Sequence, residues 1–317
     1  MQDLSIAAFW LALVAAAGAS LLYGARLLGL RLLMRRLATA GGGATVPVVT
    51  LERSDTRSGL ADALGWSGSL AAWAAAAFLA LSLFARWRAV GHAPWSNMWE
   101  FTVAFAAAVL LSYIVFERWY AGESRARSPR ALGAIILPVV FALLAVAAAF
   151  FPSDIRPLVP ALQNQDLLAI HVAAMILAYG ALSVSFAAGA LYLAQAWPEP
   201  GGTGKRRDRF PRLPSARLLD DIGYRSVMVG FPVLALGIAL GAYWGNSAWG
   251  RYWGWDPKET SALVTWLIYG VYLHMRGLRG WKGARSAVVL VIGFAAVLFT
   301  YFAVNLWVSG LHSYAGV

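Results

Sequence analysis

Residues 131–151 read ALGAIILPVVFALLAVAAAFF, 21 positions without one charged or hydroxyl-bearing side chain. A helix needs about 20 apolar residues to cross roughly 30 Å of hydrocarbon, so this run reads as a membrane span rather than the core of a soluble domain. Working outward from it, seven further runs of similar character lie near 4–25, 64–85, 99–116, 167–197, 226–249, 260–275 and 286–311, of which 99–116 and 260–275 are short. The composition agrees: 60% of the 317 residues are hydrophobic and 13% charged, where soluble domains carry about 25% charged residues. The expected fold is all-α, a polytopic integral membrane protein of about eight transmembrane helices forming a single transmembrane domain over 1–317.

The net charge of +11 is placed by topology. Of the 26 Lys and Arg, 21 fall in the connections after the first, third, fifth and seventh runs. Basic residues collect on the cytoplasmic side, so those connections, including the loops at 35–62 and 198–222, read as cytoplasmic and both termini as extracytoplasmic. Both loops are rich in Gly, Pro, Ser and Arg without helical period. This removes the main reason for a nucleic-acid partner. The run Lys205, Arg206, Arg207 and Arg209 suits anionic lipid headgroups, or serves only as a topology determinant. Met1 to Ile6 carries Asp3 and no basic residue, so the first run is expected to be a retained helix rather than a cleaved signal. There is no cysteine, and any thiol chemistry must use a partner's thiols. Gly230, Gly237 and Gly241 give the sixth run a small face for close helix packing.

The stretch 243–259 reads YWGNSAWGRYWGWDPKE, with four of the chain's 15 tryptophans: Trp244, Trp249, Trp253 and Trp255. Two readings stay open: an interfacial aromatic belt, or a platform for a planar amphipathic ligand whose carboxylates pair with Arg251 or Lys258. Interspersed glycines permit tight turns that gather the rings. Asp256, Pro257 and Glu259 form an N-terminal cap for the seventh helix, which also fixes the approach of the tryptophans.

There are four histidines. His171 and His312 fall at the outer side with the tryptophans, a placement for two axial nitrogens on opposite faces of a porphyrin. His274 lies 18 residues beyond Asp256, about 27 Å along a helix, near the opposite side, where the chain offers it no second histidine. His92 lies between the second and third runs. No zinc-binding spacing, phosphate loop, dinucleotide fingerprint or nucleophile elbow occurs.

These residues resemble the heme-handling family with a tryptophan-rich WWD motif, and within it the System II cytochrome c assembly proteins of the CcsA or ResC type. The resemblance rests on WGNSAWGRYWGWDPKE at 244–259, TWLIYGVYLHMR ending at Arg276, GHAPWSNMWE at 91–100, IHVAAMILAYGAL around His171 and NLWVSGLHSYAG at 305–316, and it covers the chain from about residue 64 onward. It implies that 243–259 is an extracytoplasmic WWD loop and that His171 and His312 hold heme b above it. His274 is then a further heme ligand completed by a CcsB or ResB-type membrane subunit, and His92, Pro94, Asn97 and Glu100 form part of the site's wall. The implied role is cytochrome c assembly as a subunit of a heme lyase complex, presenting heme for thioether attachment to a CxxCH apocytochrome c. The Ala and Arg richness of the composition leans toward a bacterial plasma membrane rather than a thylakoid. The alternatives are a System I protein that loads heme on a chaperone, and a membrane transporter or scaffold without heme.

Overall fold

The computed structural model describes residues 1–40, 49–120, 129–158, 160–163, 165–195 and 213–312. Its long helices are α1 (Gln2–Ala40), α2 (Val49–Val90), α3 (Met98–Trp119), α4 (Gly133–Phe150), α5 (Gln165–Gln195), α6 (Ala216–Trp249), α7 (Pro257–Arg279) and α8 (Ala284–Leu298). A π-helical turn, Phe299–Ala303, continues α8 into the short α9 (Val304–Leu306). No strand occurs among the described residues.

The helices run antiparallel between two ends. At one end Ser82 donates to the Ser5 carbonyl at 2.8 Å, Arg86 pairs with Glu100 at 2.7 Å, and the α7 cap meets Leu311 and His312. At the other, Glu117 accepts from Ser69 at 2.6 Å and from Arg130 at 3.3 Å, while Arg276 at the end of α7 pairs with Asp220 at the start of α6 at 2.7 Å. α1 pairs along its length with α2, and α5 with α6; α3 and α8 pack against α5. Lipid gives helices no hydrophobic reason to associate, so close approach decides the packing. A Cβ at Gly180 would lie 2.6 Å from the Ala108 carbonyl oxygen, and one at Gly230 would lie 2.8 Å from Leu182.

Seven of these helices are long and apolar enough to cross a membrane, which makes the chain a multi-pass integral membrane protein. Of the eight long helices, α7 is the one outside that seven. Its 23 residues reach about 35 Å, enough to span, and it passes from one end of the bundle to the other. Its composition is what differs: Lys258, Glu259, Arg276 and Arg279 stand at its ends, and the face it buries carries Thr265, Tyr269 and Tyr272. The apolar side chains Val264, Leu267 and Val271 point outward instead.

Helix ends also differ from the sequence reading. α1 continues to Ala40 and α2 begins at Val49, so most of the expected 35–62 loop is helix. α6 begins at Ala216, inside the expected 198–222 loop. The Lys205, Arg206, Arg207 and Arg209 run lies outside the described residues. The tryptophan stretch is helix up to Trp249 and again from Pro257, which confines the non-helical part of 243–259 to the seven residues from Gly250 to Asp256.

Candidate functional site

Two helix ends build the centre of the site. α6 closes on Gly250, whose φ of 74° suits a residue without Cβ and turns the chain sharply. α7 opens on Asp256, the expected N-cap, with Pro257 at the first helical position. Glu259 completes the capping box: its carboxylate accepts from the amides of Gly254 at 2.9 Å and Asp256 at 3.1 Å.

Asp256 does more than cap. One carboxylate oxygen accepts from the Leu311 amide at 2.5 Å; the other accepts from the Lys258 amide at 3.1 Å and from Nδ1 of His312 at 2.7 Å. Burial alone would raise this carboxyl, but the bonds from His312 and from the Leu311 and Lys258 amides outweigh it and bring it down to about 2. Burial holds the His312 imidazole below the ordinary histidine range despite the pull of Asp256. The pair is thus a neutral imidazole donating Nδ1–H to a carboxylate, which leaves Nε2 carrying the lone pair.

His171, on α5, reaches the same tautomer by another route. Its Nδ1 lies 2.8 Å from the Gly237 carbonyl, an acceptor only, so Nδ1 carries the proton and Nε2 the lone pair. The ring fits because α6 has no side chain beside it: a Cβ at Gly241 would lie 2.5 Å from Cε1 of His171. The glycines expected to serve packing in general therefore seat this histidine in particular.

Trp244 lies beside both imidazoles. It stacks on His171 with centroids 6.2 Å apart and planes 5° from parallel, and lies 6.1 Å from His312. Trp249 meets Trp244 edge to face at 4.7 Å and His312 at 4.9 Å. These rings line a cleft of about 1070 Å³, mouth included, with Trp253, Trp95, Phe101 and Tyr301. The indole Nε1 of Trp244 is buried without a hydrogen-bond partner among the described residues.

The other expected residues divide. Lys258 lines the cleft, its Nζ 2.7 Å from Oδ1 of Asn305 and 5.8 Å from the Phe101 ring centre. Arg251 is exposed and outside the lining, and Trp255, 70% exposed with φ 55°, turns outward onto Trp253. Asn97 lines the cleft and caps α3; Glu100 stands behind it, accepting from Ser96 and paired with the fully buried Arg86. His92 bonds back to the Ala93 carbonyl at 3.0 Å and Pro94 is buried beside an outer groove; neither lines the cleft. His274 is exposed near the far end of α7 and cannot join the pair. No group of three or more metal-binding side chains occurs among the described residues. Sequence reasoning missed Arg86, Phe101, Tyr301 and Asn305. Only Asn305 had a signal, its place in the segment that carries His312.

The walls fit a porphyrin on their own chemistry: two histidines presenting lone-pair nitrogens, flanking aromatic faces, a buried indole donor and one ammonium group. Residues 95–312 match the family model described as cytochrome C assembly protein. The chain is 39% identical over 239 residues to a cytochrome c biogenesis protein CcsA of Chlamydomonas reinhardtii, an alignment spanning 74% of this chain and 65% of that relative. It is 36% identical to CcsA of Mesostigma viride, over 74% and 82% of the two chains, and 34% identical to CcsA of Synechococcus sp. (strain JA-2-3B'a(2-13)), over 86% and 88%. Among solved structures it is similar to cytochrome c heme lyase CcmF, with a TM-score of 0.62 at 20% identity, covering 95% of this chain and 46% of that one. At that identity the likeness speaks for the fold.

Proposed function

The chain belongs to the cytochrome c assembly protein family, as a CcsA-type protein of cytochrome c biogenesis, and from that premise we propose that its cleft binds heme b between His171 and His312 and presents it to an apocytochrome c. The observation that carries this is the paired tautomer: each imidazole spends Nδ1–H on a fixed acceptor, which leaves Nε2 with the lone pair, and both rings line one cleft beside Trp244. Imidazoles held in this way are oriented and made more basic toward iron.

The chain's own residues supply holding and orientation. Trp244, Trp249 and Trp253 pack against the ring, and the Trp244 indole N–H suits an oxygen acceptor such as a propionate. Lys258, inside the cleft, is the cation for a carboxylate; Arg251 is not. With no cysteine of its own, the chain leaves thioether formation to the thiols of the CxxCH substrate, which add across the heme vinyl groups. The cleft end is the extracytoplasmic one, a reading supported by the basic residues concentrated in the opposite connections. His274, exposed on α7, fits a second ligand position completed by a CcsB or ResB-type subunit, in a bacterial plasma membrane.

Maturation of a reporter cytochrome c tests the reading. His171→Ala and His312→Ala each abolish holocytochrome, and added imidazole restores part of it by filling the vacated ligand position. Normal maturation in both variants refutes the proposal.

A further inference from the structure

The two imidazoles are held very differently. His171 belongs to a continuous helix, its ring is pressed into the space left by Gly241, and its Nδ1–H bonds a neutral carbonyl of α6. His312 lies beyond α9, in a non-helical segment that two hydrogen bonds, from the Leu311 amide and from its own Nδ1, tie to one carboxylate. That carboxylate also caps α7 and follows directly on Trp255, the outward-turned ring at the mouth.

We propose that His312 is the exchangeable ligand and His171 the retained one, with Asp256 as a positioning residue that latches the segment 310–312. The inference rests on the heme reading above and adds an order to it. Moving His171 off iron requires shifting a helix or driving its ring into α6. Moving His312 requires breaking its ties to Asp256 and drawing its ring off Trp244 and Trp249, with no long helix to shift. The same hydrogen bond also strengthens the His312 imidazole as a donor to iron, so opening it loosens docking and ligation together. Asp256 thus controls both whether the segment is docked and how firmly its imidazole binds. In the exchange one neutral imidazole leaves iron as the substrate's imidazole takes its place; an iron–nitrogen bond breaks, another forms, and no electron or proton is transferred.

Heme-loaded protein, mixed rapidly with imidazole and followed by visible absorbance, tests this. Asp256→Ser keeps an oxygen for the cap of α7 but is too short and uncharged to hold His312. It should speed exchange of one axial ligand by roughly tenfold or more, the worth of a hydrogen bond to a charged group. Gly310→Ala, whose Cβ would lie 2.5 Å from Oδ1 of Asp256, should do the same by pushing the carboxylate while leaving it unsubstituted. In His312→Ala protein, where further exchange reports on His171, Asp256→Ser should add nothing. Unchanged exchange in both variants, or equal acceleration in the His312→Ala background, overturns the latch and leaves heme binding standing. Wild-type protein with no heme spectrum overturns both.

Discussion

Gly241 is where a single atom decides most. A methyl group there would sit 2.5 Å from the His171 ring, while an alanine in mid-helix otherwise favours helix by about 1 kcal/mol over glycine. Gly241→Ala is therefore expected to leave the protein folded, with an unchanged or raised melting temperature in detergent, while the His171 ring is displaced and its ligation lost from the visible spectrum. A variant that keeps the wild-type heme spectrum refutes the cradle. Arg86 and Glu100, both buried, make the opposite kind of site, where the cost is to stability. Glu100→Gln strands a buried guanidinium and should lower stability by about 3–5 kcal/mol, whereas Arg86→Met combined with Glu100→Leu should recover most of it. Thermal melts of the single and double variants check this. The residue scale also sets the limit of sequence reading. His171, His312, Asp256 and the tryptophans are rare residue types in an apolar chain and announce themselves. That Arg251 and Trp255 point away while Lys258 points in depends on the φ of Gly250 and Trp255, and no composition or spacing records that.

Among the elements, α7 shows how a strong rule misleads. Its uncharged stretch, 260–275, was short but readable as a span, and the helix does pass between the two ends of the bundle. What the hydropathy pattern does not record is direction. The polar face is turned into the protein, with Thr265 bonded to the Ser261 carbonyl at 2.9 Å and to Thr300 at 3.3 Å, and the apolar face outward. Loop expectations failed for a related reason: 35–40 and 49–62 lack the apolar period of a span, yet helix needs no such period once it continues one already formed. The capping box was legible because it is local chemistry within four residues. The tie from Asp256 to His312 was not, because 56 residues separate them. The cap predicts that Glu259→Ala loosens the α7 start by about 1 kcal/mol, read as faster amide exchange at Gly254 and Asp256.

For the whole molecule, the proposed topology puts the two ends of α7 on opposite sides of the membrane. The chain has no cysteine, so single cysteines report topology without background. A cysteine replacing Arg251 should react with an impermeant maleimide added outside intact cells, and one replacing Lys282 only after permeabilisation; equal labelling of both from outside would place α7 as a surface helix. The apolar spans made the bundle readable from the sequence, because the bilayer imposes one length and one polarity on every crossing. Which helices touch was not readable, since small-residue contacts such as Gly180 on Ala108 decide it. The claim on which everything else depends is that this bundle holds heme between two histidines. The most direct test is the visible spectrum, oxidised and reduced, of the detergent-purified protein made with ample heme and its partner subunit, alongside His171→Ala and His312→Ala. The account predicts a six-coordinate, bis-imidazole heme in the wild type and its loss in each variant; a heme-free wild type, or a spectrum indifferent to both substitutions, would contradict it.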